Sequence, residues 1–131
     1  ESTNYELYKN MYSPLKKAVS DLDVVCKSFE KICTSCNDNL KTHIKSKWLN
    51  YAYAVKSFYE WFVMIYEAKH FYDVNNASEF VNSIEKACAS LEFYLDFRKN
   101  AEYGIFKNWY RGEILFDVKN VLRATKRIIC Q

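Results

Sequence analysis

Leu15-Lys16-Lys17-Ala18-Val19-Ser20-Asp21-Leu22-Asp23-Val24-Val25-Cys26-Lys27-Ser28-Phe29-Glu30-Lys31-Ile32-Cys33 repeats apolar residues at steps of three and four. Leu15, Ala18, Val19, Leu22, Val25, Cys26, Phe29, Ile32 and Cys33 fall on one side of such a period. Lys16, Lys17, Asp21, Asp23 and Lys27 fall mostly on the other. This is the pattern of an amphipathic helix facing a core. Ser13-Pro14 has the chemistry of an N-cap followed by proline at the first helical position, so the helix is expected from residue 13 to about residue 33. Upstream, Tyr5, Leu7, Tyr8, Met11 and Tyr12 keep near-helical spacing and read as an extra turn or as the end of a preceding helix.

Working outward, the first break is Cys33-Thr34-Ser35-Cys36-Asn37-Asp38, rich in side chains that hydrogen-bond their own backbone. Asp38 or Asn39 is expected to cap a second helix. Its inward stripe runs Leu40, Ile44, Trp48, Tyr51, Ala52, Val55, Phe58, Tyr59, Phe62, Ile65 and Tyr66. Unbroken to Tyr72, it would span roughly 50 Å at about 1.5 Å per residue. Either it bends, or its far end pairs with residues 1–12. Asn75-Asn76-Ala77-Ser78-Glu79 is the second break, where Asn76 and Glu79 have capping-box spacing. A third helix then carries Phe80, Ile84, Ala87, Cys88, Leu91, Tyr94 and Leu95 toward Gly104. Asp117 is expected to cap a last one with Val118, Val121, Leu122, Thr125, Ile128 and Ile129 inward. The fold expected is all-α: an antiparallel helical bundle of three to four long helices with short connections. Leu22, Phe29, Trp48, Val55, Phe62, Ile84, Leu91 and Leu122 are expected to share its core.

Composition agrees. A chain of 131 residues, half of them hydrophobic and 27% charged, reads as a single globular domain over residues 1–131. It has two glycines and one proline, too few for the turns of a β-sandwich or barrel. A net charge of +3 without a lysine or arginine cluster gives no reason to expect nucleic acid as a partner. The most apolar run, Trp61 to Tyr66, is far too short to cross a bilayer, so no transmembrane segment is expected. The chain begins at Glu1, which suggests a fragment or processed product of a longer protein.

Chemistry-bearing patterns are sparse. Cys33-x-x-Cys36 has metal-ligand spacing but lacks a second pair, and His43 and His70 are too far apart in sequence to complete a finger. Cys26, Cys33 and Cys88 read better as small core residues. Five cysteines cannot all pair internally, and a Cys88–Cys130 bridge stays open if the protein is secreted. Glu79 with Glu85, and Asp21 with Asp23, lack the histidine of a di-metal pattern and read as solvated faces. There is no nucleophile elbow and no phosphate-cradling loop. Neither a catalytic residue nor a cofactor or metal is therefore expected. Trp48 belongs to the inward stripe, whereas Trp61 lies one position off the Phe58/Phe62 line and is expected to be partly exposed. Tryptophans left exposed would suit the apolar faces of a glycan.

The last pattern is Glu102-x-Gly104-x-Phe106-x-Asn108-Trp109-Tyr110-Arg111-Gly112-Glu113, followed by Asp117-Val118, Leu122 and Thr125. It resembles the C-terminal helical region of large secreted bacterial glycoside hydrolases, which carry an Asn-Trp-Tyr-Arg-Gly-Asp segment before a final helix. Ser90-Leu91-Glu92-x-Tyr94-Leu95-x-x-Arg98 is similar to the helix that precedes that segment. Glu113 stands where aspartate is usual, and Ile114-Leu115-Phe116 is more apolar than the usual lysine-containing step. The resemblance implies a non-catalytic accessory domain, a secreted or periplasmic setting, and a catalytic domain upstream in the same polypeptide as partner. Within it, Asn108 and Arg111 would pin an irregular loop while Trp109 and Tyr110 plug the bundle end beside Glu113. Two other classes fit the residues: a free-standing secreted protein-interaction domain, and a carbohydrate-binding module with a glycan as partner.

Overall fold

The computed structural model describes residues 2–101 and 118–129, and every regular element in them is helical. Helix α1 spans Ser2–Ser35. Helix α2, Asp38–Ile44, runs through a π-helical turn, Lys45–Leu49, into α3, Asn50–Asp73. Helix α4 is Ala77–Ala101 and α5 is Val118–Ile129. The all-α antiparallel bundle expected from the periodicity is the fold observed.

The start of α1 differs from the expectation. Pro14 lies inside the helix and does not open it. Proline within a helix removes one backbone donor and costs about 3 kcal/mol. Here the turns on its N-terminal side gain tertiary support that offsets the loss. The Tyr12 hydroxyl donates to Glu67 at 2.7 Å, and its ring meets Tyr66 edge-on at 6.3 Å. The end of α3 thus does pair with the chain's opening segment.

The connections follow local hydrogen-bond chemistry. Asn37, one residue before the expected caps, accepts the Leu40 N–H on its side chain at 2.9 Å. Between α3 and α4, the Asn76 N–H reaches back to the Phe71 carbonyl (2.9 Å) and the Asn75 N–H to Tyr72 (3.2 Å), a Schellman closure. Asn75 takes φ 59°, a left-handed conformation that asparagine tolerates better than most residues. Asn76 then caps α4 by accepting the Glu79 N–H at 3.3 Å, as the Asn76/Glu79 spacing predicts.

Helix α3 is the centre of the molecule, packed on α1 and on α4, and α5 packs on α4. Tyr12 meets Glu67 and Asp23 meets Lys56, so α1 descends as α3 ascends. Tyr53 stacks on Phe97 at 4.9 Å and Tyr72 meets Phe80 at 5.8 Å, so α4 is antiparallel to α3 as well. The buried interior is made largely of small side chains. Ala52, Ala54, Ser57 and Ala68 on α3 and Ser83, Ala87, Cys88 and Ser90 on α4 are all buried, as are Ile84 and Leu91. Ala68 clusters with Ile84 and Cys88, and Ala52 with Cys26, Cys33 and Leu49. Small residues let the helix axes approach closely, and the large rings pack around the seam.

The expected core is corrected accordingly. Ile84 and Leu91 are buried, while Leu22, Phe29, Val55, Phe62 and Leu122 are only half-buried. Trp48 is exposed, and its neighbour Leu49 is buried with Cys26, Cys33 and Ala52. Leu40 and Tyr51 of the same expected stripe are exposed as well, and Trp48 sits within the π turn. Its extra residue breaks the 3.6-residue phase from which Trp48 reads as inward.

Candidate functional site

Helices α1 and α4 both lean on α3, and a groove of about 610 Å³ lies between them. Lys16, Val19, Ser20 and Asp23 form one wall, and Lys86, Ala89, Ser90 and Phe93 the other. Its floor is the α3 face with Lys56, Glu60, Val63, Met64 and Glu67. Those α3 positions fall at steps of three and four, so one helix face supplies both the apolar floor and its charges.

Most of the charges are already engaged. Lys56 Nζ donates to Asp23 Oδ1 at 2.9 Å and lies 3.7 Å from Glu60, and Lys27 reaches Asp23 Oδ2 at 2.9 Å. Hydrogen bonds from Lys56 and then Lys27 hold the Asp23 carboxyl down to about 2. Burial opposes the Lys56 charge, but Asp23 and Glu60 outweigh it and keep this ammonium above its ordinary value. Burial, and then the bond to Glu67, pushes the Tyr12 phenol up, while Lys16 beside it is raised by the Tyr12 oxygen. A carboxylate held this low stays ionised at neutral pH. Asp23 is therefore an ion-pair anchor between α1 and α3 and a poor general acid.

The cysteines sort as small core residues. Cys26, Cys33 and Cys88 are buried, Cys36 is half-buried, and burial raises the Cys26 thiol. Cys26, Cys33 and Cys36 carry free thiols. Among the described residues no group of three histidine, cysteine or acidic side chains is placed to hold a metal. His43 and His70 are exposed. Cys130, with its conceivable bridge to Cys88, lies outside the described residues.

Asn108, Trp109, Tyr110, Arg111 and Glu113, singled out in the sequence, also lie outside the described residues, as does the expected cap Asp117. Trp61 is half-buried, as its off-line position predicts. It stacks near Phe58 at 6.0 Å and donates from Nε1 to Thr125 Oγ1 at 3.3 Å, joining α3 to α5.

A second surface lies within the apolar stripe of α1. Val19, Cys26 and Cys33 turn toward α3 or the groove, but Met11, Val25 and Ile32 stand 48%, 41% and 45% exposed. With half-buried Leu15, Ala18, Leu22 and Phe29 they form a line of alternating three- and four-residue steps along the outer side of α1, Phe29 at its edge also packing on the Cys26 cluster. That spacing is the seam of a helix meeting another helix. Among the described residues no helix is long and apolar enough to cross a membrane. Comparison with family models, curated proteins and solved structures finds no match to this chain.

Proposed function

We propose that this chain is a non-catalytic helical accessory module of a secreted polysaccharide-degrading enzyme, and that it docks on the enzyme's catalytic domain through the outer side of α1. The observation that carries docking is the line of Met11, Val25 and Ile32, apolar, exposed and spaced for helix packing. Monomeric surfaces seldom leave such a row uncovered, and a row of this kind is a common mark of an interaction face. The class of partner comes from the resemblance at residues 90–98 and 102–125.

Two measurements test the proposal. Purified chain should release nothing from a panel of chromogenic glycosides. Turnover that a single Asp or Glu substitution abolishes would overturn it. The double variant Val25→Asp/Ile32→Asp should keep its helical spectrum and lose co-elution with the catalytic domain encoded in the same reading frame. A reading frame without such a domain would also sink the proposal. The carbohydrate-binding reading has one observation in its favour: Trp48 and Tyr51 stand about half exposed within one helical turn.

A further inference from the structure

A second cavity, of about 450 Å³, lies at the π-helical turn, where α2 passes into α3 beside the last turn of α4. Among the described residues it is lined by Lys41, Thr42, Lys45, Asn50 and Asn100, all of them polar. The Lys45 N–H donates to the Lys41 carbonyl, and the Asn50 N–H to the Lys45 carbonyl five residues back. These three residues therefore follow one another up one side of the helix. In an unbroken α-helix Asn50 would be turned about 140° away from Lys45. The extra residue is what brings a carboxamide into line with two ammonium groups, and π turns of this kind recur at functional sites.

Asn50 is 9% exposed, and its side chain makes no hydrogen bond with the described residues. A buried carboxamide without a partner is costly. No fully enclosed polar side-chain atom in the described residues lacks a partner, so the Asn50 amide opens onto the cavity. Lys41 and Lys45 have no acidic partner among the described residues. The cavity thus offers two uncompensated positive charges, together with two carboxamides that both donate and accept.

A simple inorganic anion uses the charges and leaves the carboxamide acceptors idle. A neutral sugar uses the carboxamides and leaves the charges idle. A hydroxylated ring bearing a carboxylate or a sulfate uses both. Trp48 and Tyr51, exposed in the same stretch of helix, do not line the cavity, so the lysines and carboxamides alone carry the recognition. We infer that this cavity binds an acidic sugar unit of a polysaccharide, with Lys41 and Lys45 on the anionic group and Asn50 and Asn100 on its hydroxyls. The saccharide half of this inference rests on the carbohydrate reading given above.

The test is a ¹H–¹⁵N titration of the full chain that follows the side-chain amides of Asn50 and Asn100. Glucuronate and glucose 6-sulfate are the two acidic arms, with glucose and inorganic sulfate as controls. Saturable shifts are expected from one acidic sugar or both, and the arm that binds identifies the anionic group. The Lys41→Ala/Lys45→Ala double variant should weaken that binding at least about tenfold. Both lysines are exposed, so the variant threatens neither fold nor core. Equal shifts from inorganic sulfate or glucose, no shift from either acidic sugar, or undiminished binding by the double variant would each overturn the inference. Such a failure leaves docking through α1 untouched, because docking is read from co-elution. Lost co-elution with intact titration shifts would fail only the docking proposal.

Discussion

At the scale of the residue, Asp23 sets how the protein responds to acid. Its carboxyl is held near 2 in the folded chain, against an ordinary value of 3.8. A depressed acid stabilises the fold fully above its unfolded value and loses that contribution as pH falls toward the folded one. The melting temperature should therefore drop between about pH 4 and pH 2, and Asp23→Asn should flatten the curve in that window. Identical curves would remove Asp23 from the account. Leu91 is fully buried, so Leu91→Ala should cost about 2–5 kcal/mol in urea denaturation. Trp48→Ala should stay within about 0.5 kcal/mol, although the helical period alone ranks Trp48 as core. The contrast marks what a period can tell. It reports that a residue is apolar at a given phase, and one extra residue upstream changes where that phase points.

At the scale of the element, helix existence and type were legible across the described residues, because four apolar stripes and few glycines leave little else to form. The breaks were legible too, and Asn76 caps α4 as its spacing with Glu79 predicts. Two features were not. Ser13-Pro14 carries a start signal that contacts with α3 override, and those partners lie more than 50 residues away in sequence. The π turn leaves no signature, since Lys45-Ser46-Lys47-Trp48-Leu49 would suit an α-helix equally well. Deleting Lys47 should convert this turn to regular helix and rotate α2 relative to α3. The deletion variant should remain helical by circular dichroism. It should lose about 1 kcal/mol as Ile44 leaves the Cys26/Leu49 cluster, and it should no longer bind the acidic sugar. Sugar binding retained after deletion would separate the cavity from the turn.

At the scale of the whole molecule, the two surfaces with a stated use differ in chemistry. The outer side of α1 is apolar and spaced for another helix, and the cavity at the π turn is polar and sized for a small ligand. Neither was visible from motifs, because the first depends on which part of a wide stripe the neighbouring helix leaves uncovered and the second on a π turn without a sequence signature. The three-residue link at 74–76 has a further consequence, which concerns the order of assembly. It joins the two helices that share the most extensive contact, so their partners are near in sequence and closing the loop costs little chain entropy. Native contacts of that kind form early. The α3–α4 hairpin should be the slowest part of the protein to exchange its amide hydrogens, with α5 opening at lower cost. Uniform protection across all the helices would contradict this. An early hairpin also means that α1 arrives on a surface already made, so the side of α1 left uncovered is determined by the hairpin and is in place before any partner binds.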